Sequence, residues 1–411
     1  MRRCKAGWFK TYLELTRSME SPLLYHVWSA VAVISAAMSR NCCFDMRRWK
    51  VYPNMYVVLI GPTGIAKSTA SRHAVKLLRK AFPDPAKNLI IEGKLTGPRL
   101  CLDMNAAYLA TGQSKVFIHA PEFTVFTDST MKDDTLLKDM MNYWDCPDQY
   151  EYRLKTGGIT TVDNVYVSLL GCSTPELLEN AGKTEFIDSG FSARIIYVPV
   201  LKNERRVYRP ELNPDAQKLE EDLIHDLQEI GKLALQYDWD DSGDQWMKTW
   251  YENEDWRMVS DKRMLGYIER KQTHLIKLTM IIKAGLGDDP IITAKENAYA
   301  LEMLDRLEPG QAKIYQTIGS SKYAQLVQKI IDTLSHHSDW VSESVLYKHL
   351  GKKTPKKDIL TALETLESGG VIEAEVGHSG FGGGRLTQRY RIKAEPSKEH
   401  HYGQETVLNR E

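Results

Sequence analysis

The sequence predicts an α/β fold: a mainly parallel sheet covered by helices, then a helical region, then a small module of helices and a hairpin. Three observations predict it. Between about residues 54 and 200, short apolar runs alternate with segments of helical periodicity. The run "MYVVLI" is apolar without alternation, as a central parallel strand covered on both faces must be. From about residue 211 helical spacing takes over, until glycine-rich "HSGFGGGR" separates two further strand-like runs.

At 411 residues the chain is too long for one compact core, so two or three domains are expected. Hydrophobic residues make up 42% and charged residues 26%, ordinary for a globular protein. The 54 Lys and Arg balance the 54 Asp and Glu, so no global basic excess announces nucleic acid, although a local patch would suffice. None of the six cysteines forms a CxxC pair, which argues against zinc and fits a reducing cytoplasm. The start "MRRCKAGWFK" lacks the apolar core of a signal peptide. The stretch "VWSAVAVISAAM" is too short to span a bilayer and reads as a buried helix. A cytoplasmic chain without membrane contact is expected.

Residues 1–50 read as an N-terminal helical region. "WFKTYLELTRSM" has helical spacing, Ser21-Pro22 starts a second helix, and "RNCCFDMRRWKVYPN" reads as a strand or hairpin. Residues 51–205 hold the α/β core, with strands at "MYVVLI", "NLIIEG", "SKVFIHA", "VYVSLLGCST" and "ARIIYVPV". Helices are expected at "STASRHAVKLLRKAF", ended by Pro83 and Pro85, at "TGPRLCLDMNAAYLA", at "DDTLLKDMMNYW" and from Pro175. "QYEYRLKTGGITTVDN" alternates around Gly157-Gly158, the mark of a β-hairpin. Residues 206–320 read as a helical lid, its first helix running through "LALQY". Residues 321–395 give three short helices and two strands, the pattern of a winged helix. Residues 396–411 carry no apolar periodicity and are expected to be disordered.

The stretch "GPTGIAKS" lies between the central strand and a helix. A loop that cradles phosphate needs glycines so that backbone N–H groups converge on oxygens. It also needs a lysine for the β- and γ-phosphates and a hydroxyl for Mg²⁺. Gly61, Pro62, Thr63, Gly64, Ile65 and Ala66 would form that loop. Lys67, Ser68 and Thr69 would open the helix, whose N-terminus favours anions. Ala66 stands where the pattern has glycine, which adds a methyl and raises the cost of an unusual backbone angle. The plainer alternative is an ordinary glycine turn before a helix.

With Tyr52-Pro53-Asn54, "APEF", "GCSTPELL" and "GFSARIIYV", this loop resembles a family of phage and mobile-element P-loop ATPases over roughly residues 20–285. The order and spacing of the motifs are similar to the AAA+ arrangement of superfamily-3 and minichromosome-maintenance helicases. The resemblance implies an AAA+-like P-loop NTPase core with N-terminal helices, a helical lid and a C-terminal winged helix, using ATP and Mg²⁺. It makes Glu122 the catalytic base. Pro121 stands where an Asp usually serves the metal, so the metal falls on Ser68, Glu122 and the phosphates. Asp128 is a more distant substitute. Thr174, with Ser173 as runner-up, would orient water against the γ-phosphate; capping the helix at Pro175 is the alternative, and the roles coexist. Arg194 would act as an arginine finger on a neighbouring copy's ATP, which requires an oligomer, with a hexameric ring expected. A structural salt bridge is its alternative. Arg270 or, equally placed, Lys271 would be a second sensor.

In such helicases a hairpin at this point grips DNA. Here Arg153 and Lys155 near the tip would contact phosphate, and Tyr150 and Tyr152 on the stem would stack on bases. In the C-terminal module Lys352, Lys353, Lys356 and Lys357 precede the third helix, and Arg385, Arg389 and Arg391 lie on the wing. They would contact DNA phosphates unless the module binds protein instead. The implied function is a ring-forming, ATP-dependent DNA helicase, replicative and phage- or mobile-element-encoded. It would translocate on single-stranded or forked DNA in the host cytoplasm beside other replication proteins. The alternative is an ATP-regulated initiator or helicase loader that binds DNA without unwinding it. A small-molecule kinase fits the lid, hairpin and C-terminal module poorly, and a structural scaffold would require a dead site.

Overall fold

The computed structural model describes residues 1–85, 88–93, 95–123, 134–153, 159–181, 190–203, 205–211, 213–253, 264–317, 322–337, 339–350, 354–378 and 386–393. The chain divides into two compact units, Met1–Gly319 and Ser320–Glu411.

The first unit opens with α1 (Trp8–Leu15) and α2 (Leu23–Ala37). α2 is apolar around most of its circumference and is buried along nearly its whole length, against α3 and the sheet. β1 (Cys43–Asp45) and β2 (Lys50–Val51) form the expected hairpin. β3 (Tyr56–Ile60), buried at every residue, leads into α3 (Lys67–Ala81). Then come β4 (Leu89–Ile91), α4 (Gly97–Thr111), β5 (Ser114–Ala120) and α5 (Asp134–Trp144). The hairpin β6 (Gln149–Arg153) and β7 (Ile159–Asp163), β8 (Val165–Ser173) and α6 (Pro175–Ala181) follow. A 3-10 turn at Ser192–Arg194 leads to β9 (Ile195–Pro199).

Five strands form one sheet of order β4-β5-β8-β3-β9, parallel throughout. The near-continuous apolar runs at β3 and β8 fit their interior positions, covered on both faces. Because the strands are parallel, the loops after β3, β5 and β8 open at one edge, the edge at which open α/β sheets bind ligands.

The rest of the unit is α7 (Ala216–Ile230), β10 (Gln236–Trp239), α8 (Asp241–Asn253), α9 (Leu265–Ile268), α10 (Lys271–Leu286), β11 (Ile291–Ile292), α11 (Ala294–Asp305) and α12 (Glu308–Thr317). The extent of the first helix of this region is therefore corrected. The helix expected to run through Tyr237 stops before Gly231, and the chain then runs extended beside β1. β10 pairs in parallel with β1 and β11 with β10, giving a second sheet of order β11-β10-β1-β2. Strands of two to four residues carry no periodicity of their own; β10 pairs with a strand far upstream and β11 only with β10. Helices from residues 1–50 and 206–320 share one continuous hydrophobic core with the five-stranded sheet.

The second unit holds α13 (Lys322–Ser335), β12 (Val341–Ser342), α14 (Glu343–Leu350), α15 (Lys356–Ser368), β13 (Ile372–His378) and β14 (Leu386–Ile392). Its antiparallel sheet has the order β12-β14-β13. Its own core is built from Leu326, Ile330, Leu346, Ile359, Leu363 and Tyr390, among others. The short β12 is an addition to the elements expected from the sequence. The glycine-rich tip and residues 396–411 lie outside the described residues. Among the described residues no helix is long and apolar enough to cross a membrane.

Candidate functional site

Residues 61–66 leave the open end of β3. Tyr25 Oη donates to Ile60 O at 2.7 Å and to Val200 O at 3.2 Å, and Gly61 N donates to Ser173 O at 3.3 Å. A Cβ on Gly61 would lie 2.4 Å from both Tyr25 Oη and Val200 O, so this approach requires glycine. Ile65 is buried and pins the loop, leaving Pro62, Thr63 and Gly64 exposed. Ala66 has φ 60 and ψ 30. The strain expected from the sequence is present: an L-residue in the left-handed region costs about 1–2 kcal/mol.

Ala66 is also the N-cap of α3 and has no side-chain acceptor to offer. The first-turn N–H groups, at Lys67, Ser68 and Thr69, are thereby left for an anion. Lys67 Nζ donates to Gly61 O at 2.6 Å and Pro62 O at 2.8 Å, folding its ammonium over the loop. Burial lowers its pKa, against the opposing pull of Cys172 and Glu176.

Sheet register aligns the acidic candidate with this loop. Ala120 of β5 pairs with Gly171 of β8, and β8 continues to Ser173, which pairs with Ile60. The strand ends at Ala120, and the bend at residues 121–122 carries Glu122 out at the same end of the sheet as Ser173 and the start of the loop. Phe123 is buried, and its ring packs on Gly171, where a Cβ would lie 2.7 Å from Phe123 Cδ2. That anchor holds the turn from which Glu122 reaches solvent. Asp128 lies outside the described residues.

Thr174 Oγ1 accepts from Leu177 N at 3.3 Å, the capping role, and Ser173 Oγ donates to Thr174 O at 3.3 Å. Both hydroxyls thus have local partners.

Arg194 stands at the other edge of the sheet. Its neighbour Ile195 pairs with Tyr56, the first residue of β3, while the loop begins beyond Ile60, the last. Six strand steps separate the two levels, about 20 Å. Arg194 donates to Gly190 O at 3.1 Å, pairs with Asp145 at 3.3 Å and lies 5.6 Å from the Trp144 ring. Arg270 belongs to the same neighbourhood: burial, then the charge of Arg194, lowers its pKa. Lys271 is instead buried in ion pairs with Asp305 at 2.8 Å and Glu308 at 2.7 Å. Of these two candidates, Arg270 is grouped with Arg194 and Lys271 is a structural residue.

A polar chain under the loop was not foreseen. His119 of β5 is buried, with Nδ1 2.5 Å from Glu92 Oε1 and Nε2 3.2 Å from Ser71 Oγ. Ser71 Oγ also donates to Ser68 O at 3.2 Å and accepts from Cys172 Sγ at 3.5 Å. Arg79 closes the chain on Glu92 at 2.9 Å. Burial lowers the His119 pKa, offset in part by Glu92. The available signal was a histidine inside an otherwise apolar strand, a polar group that needs partners.

The stem of the hairpin departs from expectation. Tyr150 Oη donates to Asp139 Oδ1 at 2.7 Å and packs edge-on against Tyr143. Tyr152 is buried, its hydroxyl filling the space beside Gly97. One face of the stem packs on α4 and α5, so these rings are structural anchors and not stacking platforms. Arg153 ends β6, and Lys155 with Gly157-Gly158 lies outside the described residues.

In the second unit, Arg389 pairs with Glu375, and Arg391 with Glu373 at 2.9 Å, across β13 and β14. Facing carboxylates therefore neutralise these two arginines. Lys356 and Lys357 are exposed in the first turn of α15, Lys356 Nζ lying 5.1 Å from the Tyr347 ring. Lys352, Lys353 and Arg385 lie outside the described residues. Neither a family model nor a curated protein matches this chain.

Proposed function

We propose that residues 61–69 bind the phosphates of ATP and that the chain works as a ring of copies, an ATP-dependent DNA helicase with an AAA+-like P-loop core. One observation carries this: sheet register separates Arg194 from the loop after Ile60 and from Thr174 by about 20 Å. At that distance Arg194 has no reach to its own loop. Released from its pair with Asp145, its guanidinium suits a neighbour's, where it would stabilise charge on the transferring phosphoryl group. The loop suits phosphate, through its exposed backbone at residues 62–64, the uncapped first turn of α3 and the Lys67 ammonium. Glu122, exposed at its strand end, accepts the proton of the attacking water. Ser68 and Glu122 would hold Mg²⁺ from the protein side, and the ion would supply neutralisation of phosphate charge. DNA contact rests on Arg153 and Lys155 and on Lys356 and Lys357 of the proposed winged helix. These contacts engage phosphate without reading sequence.

The second reading, an initiator or loader, is favoured by the anchored stem tyrosines, which hold the hairpin to α5. Assays of ATP hydrolysis and forked-DNA unwinding test both. Lys67→Ala should abolish hydrolysis, and Arg194→Ala should lower it by about 10³-fold or more. Mixing the two variants should restore part of the activity. No recovery, in mixtures whose mass in ATP shows assembly, would remove the trans role of Arg194. Hydrolysis without strand separation would select the initiator or loader.

A further inference from the structure

The polar chain under the loop ends in a cleft. A depression of about 630 Å³ opens over α3, lined by Arg72, Lys76, Arg79, Lys80, Glu92 and His119 among others. The four cations fall at i, i+4, i+7 and i+8, one face of the helix, and all four are exposed. They extend over about 12 Å of helix axis. The carboxylates paired with them are Glu92, on Arg79, and Glu220, on Lys80. Arg72 and Lys76 have no ion pair among the described residues, so the cleft carries excess positive charge in a chain whose net charge is zero.

We propose that this cleft is a contact for the sugar–phosphate backbone of single-stranded nucleic acid, Arg72 and Lys76 each holding a phosphate and Arg79 exchanging Glu92 for a third. The shared chemistry is a row of phosphates. An extended row of cations suits a strand better than a compact oligophosphate, since the charges are spread along the helix and do not converge on one point. The floor of the cleft explains why such a contact matters to the proposed ATP site. Glu92 holds His119, and His119 touches Ser71, one helical turn beyond Lys67 and bonded to Ser68. A phosphate that draws Arg79 from Glu92 thus alters the partner of the histidine that braces α3 against the strand leading to Glu122. The inference rests on the nucleic-acid reading above and deepens it.

Fluorescence anisotropy of labelled oligo-dT, measured over a salt series, tests it. For single strands the slope of log K against log salt is about −0.7 per phosphate contact. The Arg72→Ala/Lys76→Ala double variant, both residues being exposed, should keep the wild-type melting curve and lose about 1.4 from the magnitude of that slope. Glu92→Gln should steepen the slope by about 0.7, as Arg79 is released to a phosphate. An unchanged slope in the double variant would overturn the cleft as a contact and leave the helicase reading standing. An unchanged slope in Glu92→Gln would overturn the exchange at Arg79. Absence of oligo-dT binding by the wild type would overturn both the cleft and the nucleic-acid reading. Inorganic tripolyphosphate, titrated into Lys67→Ala with and without the double change, separates the sources. Tight binding lost with Arg72 and Lys76, beside an unaltered DNA slope, would assign the cleft to a compact oligophosphate instead.

Discussion

At the scale of the residue, Ala66 concentrates the chemistry of the loop. It was legible in the sequence as the one departure from a glycine pattern, and its left-handed conformation gives that departure a cost. Ala66→Gly should remove about 1–2 kcal/mol of strain and add about 0.4–1 kcal/mol of unfolded-state entropy. A net gain of about 0.5–1 kcal/mol is expected, read as a higher urea midpoint with unchanged slope. A lower midpoint would mean that the methyl contributes packing which outweighs the strain. Arg270 and Lys271 illustrate the opposite case. Consecutive helical residues point about 100° apart, so sequence left both open. Tertiary packing turned Lys271 onto Asp305 and Glu308 and left Arg270 beside Arg194.

At the scale of the element, alternation around Gly157-Gly158 foretold the hairpin, because a turn and its period-two flanks are local signals. The same alternation did not say which face would be interior. α4 and α5 supply that surface, and Tyr150 and Tyr152 became anchors. Tyr150→Phe leaves Asp139 without this donor and should cost about 1–3 kcal/mol. Chemical denaturation would measure it, and a change under about 0.3 kcal/mol would mean that water replaces the hydroxyl. β10 and β11 were missed for a related reason: β10 exists because β1 offers it an edge, and β11 because β10 then does.

At the scale of the whole molecule, buried histidines link stability to pH. Burial lowers the pKa of His26 to about 4, with His73 and Arg205 adding to the effect. Burial lowers that of His274 to about 3, opposed by its bond to Ala193 O and reinforced by Lys277, Arg270 and Arg194. Both start from the ordinary 6.5 in the unfolded chain, so on acidification the unfolded state takes up protons that the native state refuses. Stability should therefore fall as pH drops from about 6.5 toward 4.5, by up to about 1.4 kcal/mol per unit for each histidine. Below that window the carboxylates titrate as well. Urea unfolding at several pH values in the window would check this, and His26→Gln should flatten the dependence. A wild-type profile that is flat across it would show both histidines already protonated or already exposed.

The sequence by itself determined the order of strands and helices in the α/β portion, the loop after the central strand and the residues that follow it. Each depends on neighbours along the chain: apolar runs, a glycine turn, a helix start. Tertiary structure alone decided how distant segments meet. It paired β8 and β9 with β3, so that Glu122 shares the edge of Lys67 while Arg194 faces the opposite one. It joined Glu92, His119 and Ser71 into one chain beneath a basic cleft. Register and long-range packing are fixed by surfaces that no single stretch of sequence contains.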